Sequence, residues 1–130
     1  MRRILALSLL FLTLLAVPGL AQADGLAGGD WVLEGDAGPR GPYLRFEGGS
    51  VSGLGGCNRF GGKYEQSGEK LSFSPPMSTR MACRPDLMKK EQAFFDMLGK
   101  VKGMKLAGAK LELFDAEGKL LATFTRRAAE

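Results

Sequence analysis

Residues 55–64 read Gly55-Gly56-Cys57-Asn58-Arg59-Phe60-Gly61-Gly62-Lys63-Tyr64, with a glycine pair on each side of a cysteine and an asparagine. Glycine has no Cβ, so these pairs permit tight bends, bulges or a positive φ beside the cysteine. Asn58 tolerates the left-handed conformation and can cap neighbouring backbone groups. The stretch therefore predicts a sharply bent β structure around Cys57.

The second cysteine of the chain, Cys83, closes the segment Met77-Ser78-Thr79-Arg80-Met81-Ala82-Cys83. An even cysteine count in an exported chain favours a disulfide, and two cysteines allow one intramolecular pairing. A bridge across a loop of roughly 25 residues would stabilise the fold by about 3 kcal/mol. The alternative is a redox-active pair, but exchange catalysts usually carry Cys-x-x-Cys at a helix start. The long spacing favours a structural bridge between Cys57 and Cys83.

The N-terminus predicts export. A basic start precedes the apolar run 4–17, Pro18-Gly19 breaks the run, and Ala21-Gln22-Ala23 supplies a small-x-small cleavage site. The run is shorter than the roughly 20 residues that a membrane-spanning helix needs. We therefore predict a signal peptide over residues 1–23, followed by one domain over residues 24–130.

The residue after the predicted cleavage site is Asp24, whereas a lipoprotein would carry cysteine there. We therefore expect a periplasmic or secreted protein without a stable membrane anchor. Removal of Arg2 and Arg3 with the leader takes the formal net charge from +4 to +2. A charge this small gives no case for nucleic-acid binding, which usually shows a strongly basic face.

The chain contains no histidine. This removes the commonest general base near neutral pH and the commonest metal ligand. It excludes a Ser-His-Asp triad, a Cys-His nucleophile and any zinc site containing histidine. Two cysteines alone cannot form a four-cysteine site. We therefore expect no catalytic residues, no metal and no cofactor.

Short segments with strand character lie between the glycine clusters. Residues 43–47 alternate, with Leu44 and Phe46 on one face and Arg45 on the other. The last residues, 126–130, are predicted to be frayed. The predicted strands include 30–34, 43–47, 50–54, 60–65, 70–74, 110–114 and 119–125.

One helix is predicted after the cysteine segment. Pro85 suits the first helical turn, where its missing N–H costs little. Gly99 and Gly103 are alternative stop signals. Many short strands with one helix predict a mostly β (α+β) fold, a curled antiparallel sheet or partly open β-barrel of about eight strands with one packed helix. The apolar stripe of the helix is formed by Leu87, Phe94, Leu98 and Val101.

Both motif segments resemble the META-domain (HslJ-like) family. That family shows a G-C-N-x-F/Y-x-G-x-Y stretch, a T-R/K-M-A-C stretch and an acidic helix entry, which is Glu91-Gln92-Ala93-Phe94 here. The strand around Trp31 fits the usual opening. The resemblance implies a partly barrel-like antiparallel sheet with a helix. It also implies an envelope or secreted protein linked to heat shock or stress response, in a family with no established enzymatic activity.

Four polar motif residues, Asn58, Arg59, Thr79 and Arg80, are candidates for a structural or a ligand-binding role. Guanidinium groups can bind carboxylates or backbone carbonyls exposed by turns, and Thr79 can hydrogen-bond locally. A structural role is favoured. The ligand-binding alternative places Arg59 and Arg80 on one rim, where they hold an anionic group.

Three functions compete. The first is a non-catalytic, monomeric exported domain that binds a protein, peptide or lipid in the cell envelope during stress. The alternative is a periplasmic inhibitor of a secreted hydrolase, with the loop 35–42 as its inserting element. The third is an enzyme whose acid–base groups are carboxylates. The sequence contexts of these carboxylates favour turns, strand surfaces or a solvated helix face over catalysis. The candidates are Asp36, Glu65, Glu69 and Glu91. The absence of catalytic groups and the family resemblance favour the first.

Overall fold

A computed structural model describes residues 25–36 and 41–128. The predicted signal peptide, residues 1–23, lies outside the described residues. So do residues 37–40, the centre of the proposed inserting loop, and residues 129–130.

The described residues form nine strands and one helix, and eight of the strands close into an antiparallel barrel. Around the barrel the order is β1-β2-β3-β4-β5-β7-β8-β9, and β9 pairs with β1 to close it. Strand β6 is an extra strand on β4. The elements are β1 (Asp30–Leu33), β2 (Tyr43–Glu47), β3 (Ser50–Leu54), β4 (Arg59–Ser67), β5 (Lys70–Phe73), β6 (Met77–Ser78), α1 (Pro85–Lys100), β7 (Gly103–Ala107), β8 (Lys110–Phe114) and β9 (Leu120–Arg127).

The predicted fold class is confirmed, and the structure shows that the barrel closes. The narrowest junction joins β5 to β7, where one residue pair, Lys70 and Gly103, is in register. Two further backbone hydrogen bonds support this junction, from the Met104 N–H to the Glu69 carbonyl at 2.8 Å and from the Leu71 N–H to Lys102 at 3.3 Å. Backbone pairing thus continues around the whole ring.

The barrel interior is filled by large side chains. Trp31, Leu44 and Phe124 are fully buried. Helix α1 turns its predicted stripe inward, and the Phe94 ring lies 5.9 Å from the Phe60 ring and 6.4 Å from the Phe124 ring, measured between centroids. The helix therefore packs on rings from β4 and β9. Burying each such aromatic ring contributes roughly 2–3 kcal/mol.

Two predictions about element ends are wrong. Gly103 begins β7 rather than ending the helix, which ends at Lys100 beside the other stop candidate. Arg126 and Arg127 belong to β9 rather than to a frayed end. They are ordered because the Arg126 guanidinium lies 4.4 Å from the Trp31 ring centroid, and Arg127 pairs with β1. Cation–π contacts of this kind stabilise by about 0.5–1 kcal/mol at exposed sites.

A buried carboxylate fixes the junction of β1, β2 and β9. Asp30 is 4% exposed and accepts hydrogen bonds from Arg45 Nε at 2.7 Å and Nη2 at 3.1 Å. Arg127 Nη2 donates to the same carboxylate at 3.3 Å. The hydrogen bond from Arg45 lowers the pKa of Asp30 below its ordinary value, while burial acts in the opposite direction. Ion pairs of Asp30 therefore connect β2 and β9 to β1.

Replacing this carboxylate is expected to change the pH dependence of stability. Because the pKa of Asp30 is lower in the folded than in the unfolded chain, its stabilisation is present above about pH 4 and lost as pH falls through the lower folded value. Asp30→Asn should reduce the free energy of unfolding at pH 7 by about 1–2 kcal/mol, since both arginines are half-exposed. Urea unfolding from pH 7 to pH 2 measures the difference, which should shrink towards zero.

The matched control is Asp96→Asn, because that carboxylate lies exposed on α1 and, among the described residues, accepts from Gln92 alone. Its effect should stay within about 0.5 kcal/mol at every pH. An Asp30→Asn deficit that is the same at pH 2 as at pH 7 would contradict the ion-pair account.

Candidate functional site

The side chain of Asn58 joins three separate parts of the chain. It is 5% exposed, and its Oδ1 accepts from the Met81 N–H at 2.7 Å and from Thr79 Oγ1 at 3.0 Å. Its Nδ2 donates to Glu91 Oε2 at 2.8 Å, and its backbone N–H donates to Glu91 Oε1 at 2.6 Å. The β3–β4 bend, the segment after β6 and helix α1 therefore meet at one amide.

Glu91 was predicted to be solvated on the helix surface, and that prediction is wrong. Its exposed fraction is 7%, and hydrogen bonds from Asn58 to both carboxylate oxygens compensate for this burial. A signal for this burial lies in the sequence. Glu91 stands four residues after Leu87 and three before Phe94, so it falls on the apolar stripe of the helix.

The first glycine pair lets the helix approach the bend. A Cβ at Gly55 would lie 2.9 Å from Glu91 Cγ and 3.0 Å from Phe95 Cε1. Gly56 has a φ of +124°, which side chains rarely adopt. Gly61 and Gly62 lie within β4, as the predicted strand 60–65 implies, and pair regularly with β3. The bend before Cys57 is thus the one that fixes the site.

Cys57 and Cys83 form the predicted disulfide, with a Cα–Cα distance of 6.1 Å. This distance lies in the usual range for such bridges. Because α1 begins at Pro85, the bridge also anchors the start of the helix. The segment after β6 is therefore held at two points, by Asn58 along its length and by the bridge at its end.

A groove of about 850 Å³ lies beside the disulfide. We call it the bridge groove. Its wall is mainly apolar, and three polar side chains, Asp36, Arg59 and Thr79, also line it. Met81 lies on this groove and is 59% exposed. The apolar lining is formed by Tyr43, Leu54, Met81, Leu87, Cys57 and Cys83.

The motif residues take different positions relative to this groove. Arg59 and Thr79 line it, while Asn58 is buried and Arg80 is exposed next to Thr79 without being a lining residue. Thr79 was expected to hydrogen-bond locally, but its Oγ1 donates to Asn58 Oδ1, 21 residues away along the chain. Neither Arg59 nor Arg80 has a side-chain hydrogen bond or ion pair within the described residues. The hypothesis of a shared anion between them stays a prediction.

The carboxylates considered for catalysis have other partners or lie elsewhere. Asp36 lines the bridge groove, but its Oδ1 lies 3.5 Å from Lys90 Nζ. Glu65 and Glu69 are exposed, on β4 and in the following turn. Among residues 25–36 and 41–128, no cluster of three or more histidine, cysteine or acidic residues is placed to hold a metal ion. No helix in this part of the chain is long and apolar enough to cross a membrane.

Fold and site together define a class of small protein, a mostly β domain in which a closed antiparallel barrel carries one helix and a disulfide beside an open groove. The META domain family matches residues 24–128, and the chain belongs to this family. The resemblance noted from the sequence motifs is therefore confirmed.

Solved structures show the same fold. A protein from Burkholderia xenovorans, solved by NMR, is 26% identical with a TM-score of 0.66, over 82% of this chain and 86% of that chain. A second NMR structure is 25% identical with a TM-score of 0.62, over 79% and 92%. A DUF4847-family protein from Bacteroides vulgatus is 12% identical with a TM-score of 0.61, over 82% and 98%, and supports the fold alone. No curated protein matches the sequence.

Proposed function

We propose that this protein is an exported, non-catalytic binding domain that holds an envelope protein, peptide or lipid in the bridge groove. The observation that carries the proposal is an apolar groove open to solvent beside a barrel whose interior is already filled. Concave, mainly apolar surfaces with a few polar groups are the usual form of binding sites. A ligand is therefore bound on the outside of the barrel rather than inside it.

The exposed methionines support a binding role. Met81 on the groove is 59% exposed, and Met77 on β6 is 82% exposed. Methionine is flexible and polarisable, so it adapts to partners of different shape and is common on binding surfaces. Both side chains belong to the segment that runs from β6 to the disulfide, so a ligand in the groove can contact them.

Export is supported by the disulfide together with the leader predicted from the sequence. Disulfides form and persist in oxidising compartments, whereas thiols in the cytosol stay reduced. The non-catalytic part of the proposal is supported by the chemistry of the groove. Its one carboxylate, Asp36, faces Lys90, and the chain has no histidine to act as a base near neutral pH.

Site-specific photocrosslinking tests the proposal. A benzoylphenylalanine replaces Met81 in the full chain, which is expressed in bacteria, irradiated in intact cells and recovered from the envelope. The matched control replaces Met88, which is 47% exposed on α1 and does not line the groove. We expect an adduct at position 81 at least tenfold more abundant than at position 88, and mass spectrometry identifies the captured molecule.

The outcomes separate the competing functions. A captured envelope protein, peptide or lipid supports the proposal, whereas a captured lysozyme or protease supports the inhibitor alternative. Equal labelling at positions 81 and 88, or none at position 81, overturns the proposed site. The link to stress, which comes from the family resemblance, is tested separately by measuring expression under heat and antibiotic treatment.

A further inference from the structure

Strand β6 leaves one side of the sheet open. Among the described strands it alone has a single neighbour, β4. Residues 77–82 are all exposed, although the disulfide and Asn58 hold this segment in place. Open strand edges invite pairing with another chain, and natural proteins usually cover them. The edge of β6 is therefore an unusual exposed feature of an otherwise closed barrel.

The directions in which the backbone N–H and C=O groups of residues 78–81 point follow from the hydrogen bonds of Thr79 and Met81. The Thr79 N–H donates to the Arg59 carbonyl at 3.1 Å, and the Met81 N–H donates to Asn58 Oδ1 at 2.7 Å. Along an extended strand, successive residues point their N–H and C=O groups to opposite sides. The backbone groups of Ser78 and Arg80 therefore point away from β4, and within the described residues they have no hydrogen-bond partner.

We propose that an acidic, extended peptide segment of the partner adds to this edge as a further β-strand, using the backbone groups of Ser78 and Arg80. The inference rests on the proposed function and names the kind of ligand. Strand addition draws affinity from main-chain hydrogen bonds and specificity from pockets for alternate side chains. The bridge groove supplies such a pocket, since Thr79 and Met81 lie both on the segment and on the groove.

The acidic character of the proposed peptide follows from the positive charge beside this edge. Arg59 on β4 and Arg80 on the edge are exposed, and neither has an ion pair among the described residues. The basic residue nearest to Arg80 along the chain is Arg84, and it already pairs with Asp86 at 3.4 Å. Two free guanidinium groups beside an open edge favour carboxylates, because charge-assisted hydrogen bonds are about twice as strong as neutral ones.

The edge is also ordered before any ligand arrives. The Asn58 side chain accepts from the Met81 N–H and from Thr79 Oγ1, and Cys83 is covalently fixed. Ordering a flexible segment on binding costs about 0.5–1.5 kcal/mol for each immobilised side chain. A segment that is already held in place avoids much of that cost. This makes residues 77–82 a suitable template for a strand.

The test uses dodecapeptides selected from a random phage library on the immobilised, oxidised full chain recovered from the envelope. We expect the selected peptides to be rich in aspartate and glutamate. On binding, NMR should show the largest slowing of amide exchange at Ser78 and Arg80. Arg80→Glu should weaken binding at least tenfold, whereas Lys105→Glu, the same charge change at an exposed position on β7, should change it less than twofold.

A backbone variant separates strand addition from charge alone. Ser78→Pro removes the outward N–H but leaves the Thr79 N–H bond to β4, and proline is tolerated on edge strands. We expect it to weaken binding at least tenfold, with folding verified by circular dichroism and by the intact disulfide.

The inference is overturned if no peptides are enriched, if they are neutral or basic, if protection appears elsewhere, or if binding survives both Arg80→Glu and Ser78→Pro. A lipid adduct at position 81 in the crosslinking experiment also overturns it. In each of these cases a strong adduct at position 81 leaves the proposed function standing. Absence of that adduct removes the proposed function itself.

Discussion

Asn58→Leu is expected to lower the free energy of unfolding by about 3–5 kcal/mol. Leucine has the branching and the number of side-chain heavy atoms of asparagine but makes none of its side-chain hydrogen bonds. The Glu91 carboxylate would lose its Nδ2 donor while remaining buried, and the Met81 N–H would lose its acceptor. The loss is this large because each buried polar group left without a partner costs about 1–3 kcal/mol, although the backbone N–H of residue 58 still donates to Glu91 Oε1. Urea unfolding at pH 7 measures the loss.

A double-mutant cycle measures the interaction between Asn58 and Glu91 separately from the contacts that each makes with other residues. Glu91→Met removes the carboxylate and keeps an unbranched apolar chain beside Gly55 and Phe95. In the Asn58→Leu background this second change should cost little, since it removes the carboxylate oxygen that has lost its Nδ2 donor. We expect a coupling energy of about 2 kcal/mol, within the range for residues in direct contact. Additive effects would show that the two side chains do not act together.

The control for these variants is Gln92→Ala. Gln92 follows Glu91 on the same helix, but it is exposed and bonds to Asp96 at 2.9 Å. Its removal should change stability by no more than about 0.5 kcal/mol. A large loss in this control would indicate that the helix itself, rather than the buried network, is sensitive to substitution.

Local patterns predicted most of the elements because their signals are contained within a few residues. Strand β2 alternates between buried Leu44 and Phe46 and a solvent face, and the helix stripe repeats at three and four residues. Residues 43–47, 50–54 and 110–114 match the observed strands. The disulfide was predictable for a different reason, since two cysteines allow a single pairing.

Features that depend on distant partners could not be read from local patterns. Strand β6 has two residues, and only its contacts with Phe60 and Gly61 define it. Closure of the barrel depends on pairing between β1 and β9, which lie at opposite ends of the domain. Glu91 and Asn58 are 33 residues apart, so their contact could not be read from either segment, although the position of Glu91 on the helix stripe signals its burial. The groove arises where these distant segments meet, so the motifs indicated its residues but not its shape.

Removing the disulfide is expected to lower the free energy of unfolding by about 3.5 kcal/mol. The bridge closes a loop with a sequence separation of 26, and the chain-entropy relation gives this value for such a loop. The double variant Cys57→Ala/Cys83→Ala and the native protein with a phosphine reductant should give similar losses in urea unfolding. A loss below about 1 kcal/mol would mean that the unfolded chain is already constrained between β4 and the helix.

The native barrel should nevertheless survive reduction. Asn58 still accepts from the Met81 N–H and still binds Glu91, so the segment after β6 keeps one of its two anchors. Hydrogen exchange should therefore rise over residues 79–84 and stay unchanged in β8 and β9.

When Asn58→Leu is combined with reduction, both anchors are lost. The summed loss of about 6.5–8.5 kcal/mol approaches or exceeds the stability of many small domains, which lies between about 5 and 15 kcal/mol. We therefore expect the reduced Asn58→Leu variant to be largely unfolded at 37 °C, whereas each change alone leaves a folded barrel. A folded, cooperative transition in the doubly altered protein would show that the bend, the segment and the helix are held together by contacts other than these two.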